Sequence, residues 1–275
     1  MTTFQKIIKY LAMAFAIFLS ISIITGICGA LLTVTNLFGT NTKSEIVNHT
    51  IGSDFASISI NLSAAELEIK TGDKFAVETN HNYLKCEEKD DILKISETRS
   101  LFGSHLKGMK VVLTVPKERV FDYVDISAGA GRVTIDELSS NMLNLDLGAG
   151  ELRAQRLDAV HKAEIDGGAG SVTINGGKLN NADIDMGIGK LSLTGELSGK
   201  SKIDYGVGAT NVELLGTDDD YEIKLDKGIG EAWLDGRKMS DDSVYGAGEN
   251  YIEIDGGIGQ LNITFQEKTN EKEQI

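Results

Sequence analysis

The 275-residue sequence holds one proline, two cysteines, one tryptophan and four histidines, and no acidic residue before Glu45. Each scarcity excludes something. Cys28 lies inside an apolar run, which leaves Cys86 alone in the polar part of the chain; that part has no internal disulfide and must be held by its core. His49, His81, His105 and His161 are scattered, none at metal spacing with a cysteine or another histidine, and each reads as a surface residue. No P-loop, nucleophile elbow or dinucleotide fingerprint occurs in context, because the many G-x-G pairs join strand-like stretches and offer no helix N-terminus to a phosphate. Without a catalytic constellation, the expectation is that the protein is not an enzyme.

The shortage of proline beside 31 glycines, with no collagen triplet, points to tight turns between strands rather than to disorder. Positive charge is also short. All 41 acids follow residue 34, while Lys6 and Lys9 precede it, and the net charge is −14. Such a surface repels nucleic acid and anionic headgroups and favours cations or basic partners. The plainer reading, that acidity keeps an exported repeat protein soluble, stands beside it.

What is present begins with a charge-free stretch from Leu11 to Val34, 24 residues long. That is enough to cross a bilayer and longer than the apolar core of a signal peptide. The expectation is a cytoplasmic N-terminus over 1–10, a single transmembrane anchor over 11–34 and an extracytoplasmic remainder, since the lysines precede the span. A cleaved signal, with small residues at Cys28-Gly29-Ala30, is the alternative. Residues 35–50 are polar and aperiodic and read as a linker.

The centre of the chain repeats. IDMGIGKLSL from Ile184 returns as LDLGAGELRA from Leu145, IDGGAGSVTI from Ile165, LDKGIGEAWL from Leu225 and IDGGIGQLNI from Ile254. Looser copies are ISAGAGRVTI from Ile126 and IDYGVGATNVEL from Ile203, the latter read with two extra residues. First glycines at Gly129, Gly148, Gly168, Gly187, Gly206, Gly228 and Gly257 give steps of 19, 20, 19, 19, 22 and 29. A period near 20 held over seven copies is the mark of a stacked solenoid. Positions 1, 8 and 10 of the copy are apolar; position 7 is polar although position 5, of the same parity, is apolar. The glycine at position 6 is therefore expected to turn a corner. Leu138, Leu157, Leu179 and Leu197 are expected to point back into the same core. Before the copies, 51–122 alternates as strands do, in SISINL, AELEIK, KFAVET, DILKIS and MKVVLTV, and INLSAAELEI imitates the repeat. This region is read as a β cap over the open end. The fold expected is thus all-β: a parallel β-helix or β-roll solenoid of about seven units over 123–265, with an N-terminal cap and a flexible tail over 266–275.

Stacking has one chemical consequence. Position 2 faces outward, so Asp146, Asp166, Asp185, Asp204, Asp226 and Asp255 should form a file of carboxylates. Bare charges at strand spacing repel by about 1 kcal/mol in water. Either each aspartate accepts N–H bonds from its own glycine turn or is partly protonated by its neighbours, or the file takes a cation, for which Ca²⁺ is the natural guest. The order of Asp before glycine differs from that of the Ca²⁺-binding nonapeptide repeat, which weighs toward the turn; no other cofactor is indicated. Trp233, at position 9, is either a ligand platform or packed against the next loop.

The anchor, the strand-rich cap with INLSAAELEI, the serial I-D-x-G-x-G-x-L-x-I copies and the closing IEIDGGIGQLNITF resemble, over about residues 51–265, a bacterial β-strand-repeat family grouped with adhesins but of unknown function. Some of its members are similar to membrane-anchored products of Lia-type cell-envelope-stress operons. The resemblance implies an envelope protein and carries over no catalytic residues. Two functions follow as expectations: a non-enzymatic interaction module binding an envelope protein or cell-wall polymer, or a cation-dependent adhesin or glycan-active β-helix using the Asp file. The stretch Asp235 to Tyr251 is read as an insertion that either binds a partner or decorates the surface.

Overall fold

Alternating apolar residues and glycine corners make almost the whole of the described chain extended. The computed structural model describes residues 46–49, 51–52, 55–97 and 108–267. The chain divides into two units, Met1–Thr40 and Asn41–Ile275. The first, with the expected N-terminus and anchor, lies outside the described residues. Among the described residues no helix is long and apolar enough to cross a membrane.

The second unit is all-β. Its strands are β1 (Val47–His49), β2 (Ser57–Gly72), β3 (Ala76–Thr79), β4 (Leu84–Lys89), β5 (Ile92–Glu97), β6 (Lys110–Pro116), β7 (Val120–Asp166), β8 (Ala169–Ile174), β9 (Lys178–Asn180), β10 (Ala182–Ser198), β11 (Lys200–Leu215), β12 (Tyr221–Asp226), β13 (Ile229–Leu234), β14 (Arg237–Lys238), β15 (Ser243–Gly246) and β16 (Asn250–Gln266), with one 3₁₀ turn at Asp218–Asp220. Successive copies pair in parallel and in register: Ile184 lies between Ile165 and Ile203, and Leu191 between Val172 and Thr210. Long β7 runs through two complete rungs, tied by Asn144 donating to Asp125 and Arg132 to Glu151, both across 19 residues.

The expected inward residues are inward. Position 1 (Ile184), positions 8 and 10 (Leu191, Leu193) and the trailing Leu138, Leu157, Leu179 and Leu197 are all buried. Position 3 joins them as Ala128, Leu147, Met186 and Tyr205, a core place hidden in the sequence because it also holds Gly167, Lys227 and Gly256. Position 5 does the opposite. Its side chains face outward at the corner, so the expected turn exists but an apolar residue on its crest does not mark an inward site. The two extra residues expected after Gly208 are not there. Ala209 pairs with Lys190, Thr210 with Leu191 and Val212 with Leu193 without a slip. Thr210, buried at position 8, had disguised the register.

Rung order departs from chain order at both ends. β2 is a true rung, pairing with β7 from Ser57↔Tyr123 to Ile69↔Ile135. On its other side lies a split rung made of β5 and β6, covered by antiparallel β4 and β3, with β1 beyond β3. The cap is therefore β1 and β3 to β6. It includes β4, which the alternation pattern had not shown, and β1, which occupies the end of the expected linker. At the far end β16 slots between β11 and the pair β12–β13. The excursion after Asp235 is not a free loop: β14 and β15 run antiparallel to β13 and β12 and cover the last rung. Phe55, Phe75 and Phe121 close the core near one end, with centroids 4.5 to 6.3 Å apart, and Tyr221 stacks on Phe265 at 5.9 Å near the other.

Candidate functional site

The in-register ladder assembles the aspartates as a file, in the spatial order Asp166, Asp185, Asp204, Asp255, Asp226, with Asp146 beside Asp166 in a shallow depression of about 430 Å³. The last two are inverted relative to the sequence because β16 enters before β12. Two residues earlier on each rung runs a second outward file, including Glu164, Asp183, Lys202, Glu253 and Lys224. Its residues stand four places before the first glycine of each copy, but in chain order, Glu164, Asp183, Lys202, Lys224 and Glu253, their charges do not alternate; Glu253 comes to lie between Lys202 and Lys224 only because β16 enters between β11 and β12.

Four of the six aspartates are stabilised, in two ways. Asp166 accepts the Gly168 N–H at 2.8 Å and Asp226 that of Gly228 at 3.3 Å; both glycines are left-handed, with φ of 45° and 61°. Lys202 Nζ bridges Asp204 at 2.9 Å and Asp255 at 3.1 Å. The carboxylates of Asp146 and Asp185 make no hydrogen bond or ion pair among the described residues. Partial burial, and then the neighbouring Asp166, Asp204 and Asp183, hold the Asp185 carboxyl above the usual carboxylate range, with Lys202 opposing. Turn capping thus accounts for two of the six and a shared lysine for two more. Among the described residues no group of three or more His, Cys, Asp or Glu is disposed to hold a metal ion. The geometry gives the reason: parallel rungs set successive carboxylates side by side along a line instead of converging on a point.

Next to the file runs an apolar crest. Position 5 reads Ala149, Ala169, Ile188, Val207, Ile258 and Ile229 in spatial order, and Ile258 and Ile229 are 39% and 62% exposed. The remaining sequence candidates are dispersed. His161 is exposed, His105 lies outside the described residues, and His49 and His81 are half-buried in the cap, each with one ring nitrogen buried and unpaired. They are therefore not the simple surface residues expected. Cys86 sits on β4, where burial pushes its thiol up to about 11, so it is protonated at neutral pH. Trp233 points outward, half-buried, with the Lys238 ammonium 5.9 Å from its ring centroid.

A family model described as Toastrack DUF4097 matches residues 55–270, from Phe55 to just past β16. The chain belongs to this family. Solved structures similar to this chain include a putative cell adhesion protein from Clostridium sporogenes, 17% identical, covering 82% of this chain and 100% of its own, with a TM-score of 0.36. A putative adhesin from Bacteroides fragilis is 15% identical over 82% of this chain and 100% of its own, with a TM-score of 0.39; one from Parabacteroides distasonis is 15% identical over 82% and 98%, with a TM-score of 0.35. No curated protein matches.

Proposed function

We propose that this Toastrack protein is a membrane-anchored, extracytoplasmic module of the bacterial envelope that works by binding rather than by catalysis, in adhesion or in the response to envelope stress. The observation that carries the reading is the register of the stack. Equivalent side chains recur rung after rung along each outward file, a layout suited to an extended, repetitive partner rather than to one small substrate. The anchor rests on the 24 uncharged residues from Leu11 to Val34 behind Lys6 and Lys9.

Two measurements test it. Protease added to intact cells carrying the full-length chain, tagged at both termini, is expected to remove the C-terminal tag and spare the N-terminal one; survival of both tags until lysis rejects the topology. The purified full-length chain in mild detergent is expected to sediment with isolated cell envelopes and leave them chemically unchanged. Release of soluble fragments would mean an enzyme instead.

A second reading, cation-dependent adhesion through the Asp file, has the unpartnered Asp146 and Asp185 in its favour. Thermal unfolding with Ca²⁺ titrated against a chelator at fixed ionic strength separates the two. A site a hundredfold saturated adds about 2.7 kcal/mol by linkage, and an unmoved midpoint at millimolar Ca²⁺ removes this reading.

A further inference from the structure

The sheet face that follows the glycine corner changes character half-way along the stack. In its N-terminal half it is a web of ion pairs, with Glu68 bound to Lys70 and Lys110, and Glu151 to Arg132 and Arg153. From the next rung onward the position-9 file reads Thr173, Ser192, Asn211 and Asn262, in register, and ends on Trp233 beside Asn262. Five successive rungs thus present no charge in this file, on a chain of net charge −14. The four hydroxyl and amide side chains make no hydrogen bond among the described residues. Their neighbours two residues further on do: Asn175 donates to Gln155 and Thr194 to Glu213. Asn211 and Asn262 stand directly opposite each other in the ladder, and their amides make no hydrogen bond among the described residues.

We propose that this strip, from Thr173 to Trp233, binds an uncharged polysaccharide chain lying along the stack. The proposal rests on the reading of the protein as a binding module, and names its ligand class and surface. Carboxamides and hydroxyls each donate and accept, as sugar hydroxyls do, and a strip without charge makes no demand for an ionic group. Because these groups have no internal partners, binding breaks no bond within the protein. Rungs about 4.8 Å apart offer each sugar along a repetitive polymer an equivalent set of contacts. The indole of Trp233, with the Lys238 ammonium 5.9 Å from its ring centroid, adds a flat apolar surface for the C–H face of a pyranose ring. The Asp file, on the other side of the glycine corner, takes no part.

The test uses the full-length chain in detergent with two neutral probes, a β-1,4-linked N-acetylglucosamine pentamer and a β-1,3-glucan heptamer. Trp233 is the only tryptophan, so intrinsic fluorescence reports on this strip and calorimetry gives the affinity. At least one probe is expected to shift the fluorescence saturably, with an affinity that does not change as salt is raised to about 0.5 M. The double variant Asn211→Ala/Asn262→Ala is expected to weaken binding about tenfold or more with an unchanged melting midpoint, and Asp166→Asn/Asp185→Asn to leave it as it was. The proposal is overturned if neither probe moves the fluorescence at millimolar concentration, if the double alanine variant binds at full strength, or if salt abolishes binding. Envelope sedimentation without probe binding sinks this strip alone and leaves the proposed function standing; failure of both assays sinks the two together.

Discussion

At the scale of single residues, the second glycine of five copies, Gly131, Gly170, Gly189, Gly208 and Gly230, is fixed by two constraints of which the sequence shows only one. Gly189 and Gly208 have φ of 146° and 151°, a region essentially closed to other residues, as the parity break at positions 5 to 7 had indicated. The second constraint is the neighbouring rung. A Cβ on Gly208 would overlap the carbonyl oxygen of Gly189, and one on Gly189 that of Gly170. Gly208→Ala therefore combines strain of about 1–3 kcal/mol with a backbone clash, and is expected to lower stability by at least about 3 kcal/mol in chemical denaturation. A loss below 1 kcal/mol would show that the rungs can part at the corner. Asp185 gives a prediction of opposite sign. Its carboxyl is held above the ordinary range, so the native state takes up a proton more readily than the unfolded chain, and stability falls as pH rises through that window. Asp185→Asn is expected to melt higher than the wild type at pH 7, with the gap closing as pH approaches about 3.9. Glu68 and Glu151 act the other way: burial raises each, but Lys110 and Lys70, or Arg132 and Arg153, outweigh it. Only the difference between variant and wild type therefore isolates Asp185.

At the scale of elements, the rungs were legible and their order was not. Ile at position 1, glycine at 4 and 6 and an apolar pair at 8 and 10 state what any rung needs, and they state it identically for every slot. Nothing in IDGGIGQLNI distinguishes a place after LDKGIGEAWL from a place before it. The one trace is the long step between Gly228 and Gly257, which spans the strands that cover β12 and β13 before β16 returns. That position makes β16 indispensable. It pairs on both sides and buries Ile252, Ile254, Leu261 and Ile263, worth about 1.5–3 kcal/mol each, a sum comparable to the whole stability of an ordinary domain of about 5–15 kcal/mol. A chain ending at Glu249 is expected to show no cooperative unfolding transition by circular dichroism, whereas one ending at Glu267 should melt like the full chain. A cooperative transition in the shorter chain would mean that β11 and β12 can close on each other. The Asp file was legible as a file, since register alone makes it. Its means of stabilisation was not, because Lys202 reaches Asp255 only through the inserted rung.

At the scale of the described unit, ion pairs run the length of the outer surface, and the position-9 file alone turns neutral toward the C-terminal end. Exposed pairs of this kind contribute about 0–1 kcal/mol each, so raising salt is expected to move the melting midpoint little; a fall of more than about 5 °C at 0.5 M salt would show that the network matters as a whole. The covered ends have a different kind of consequence. Both the first rung in chain order, β2, and the last in chain order, β16, lie one place in from the end of the stack, each with a neighbour on both sides, so a copy appended after Gln266 would find no open edge beside it. The molecule is in this respect a ruler that lengthens only from its middle: one more 19-residue copy entered after Ser198 would move the two covers about 4.8 Å apart and leave both as they are.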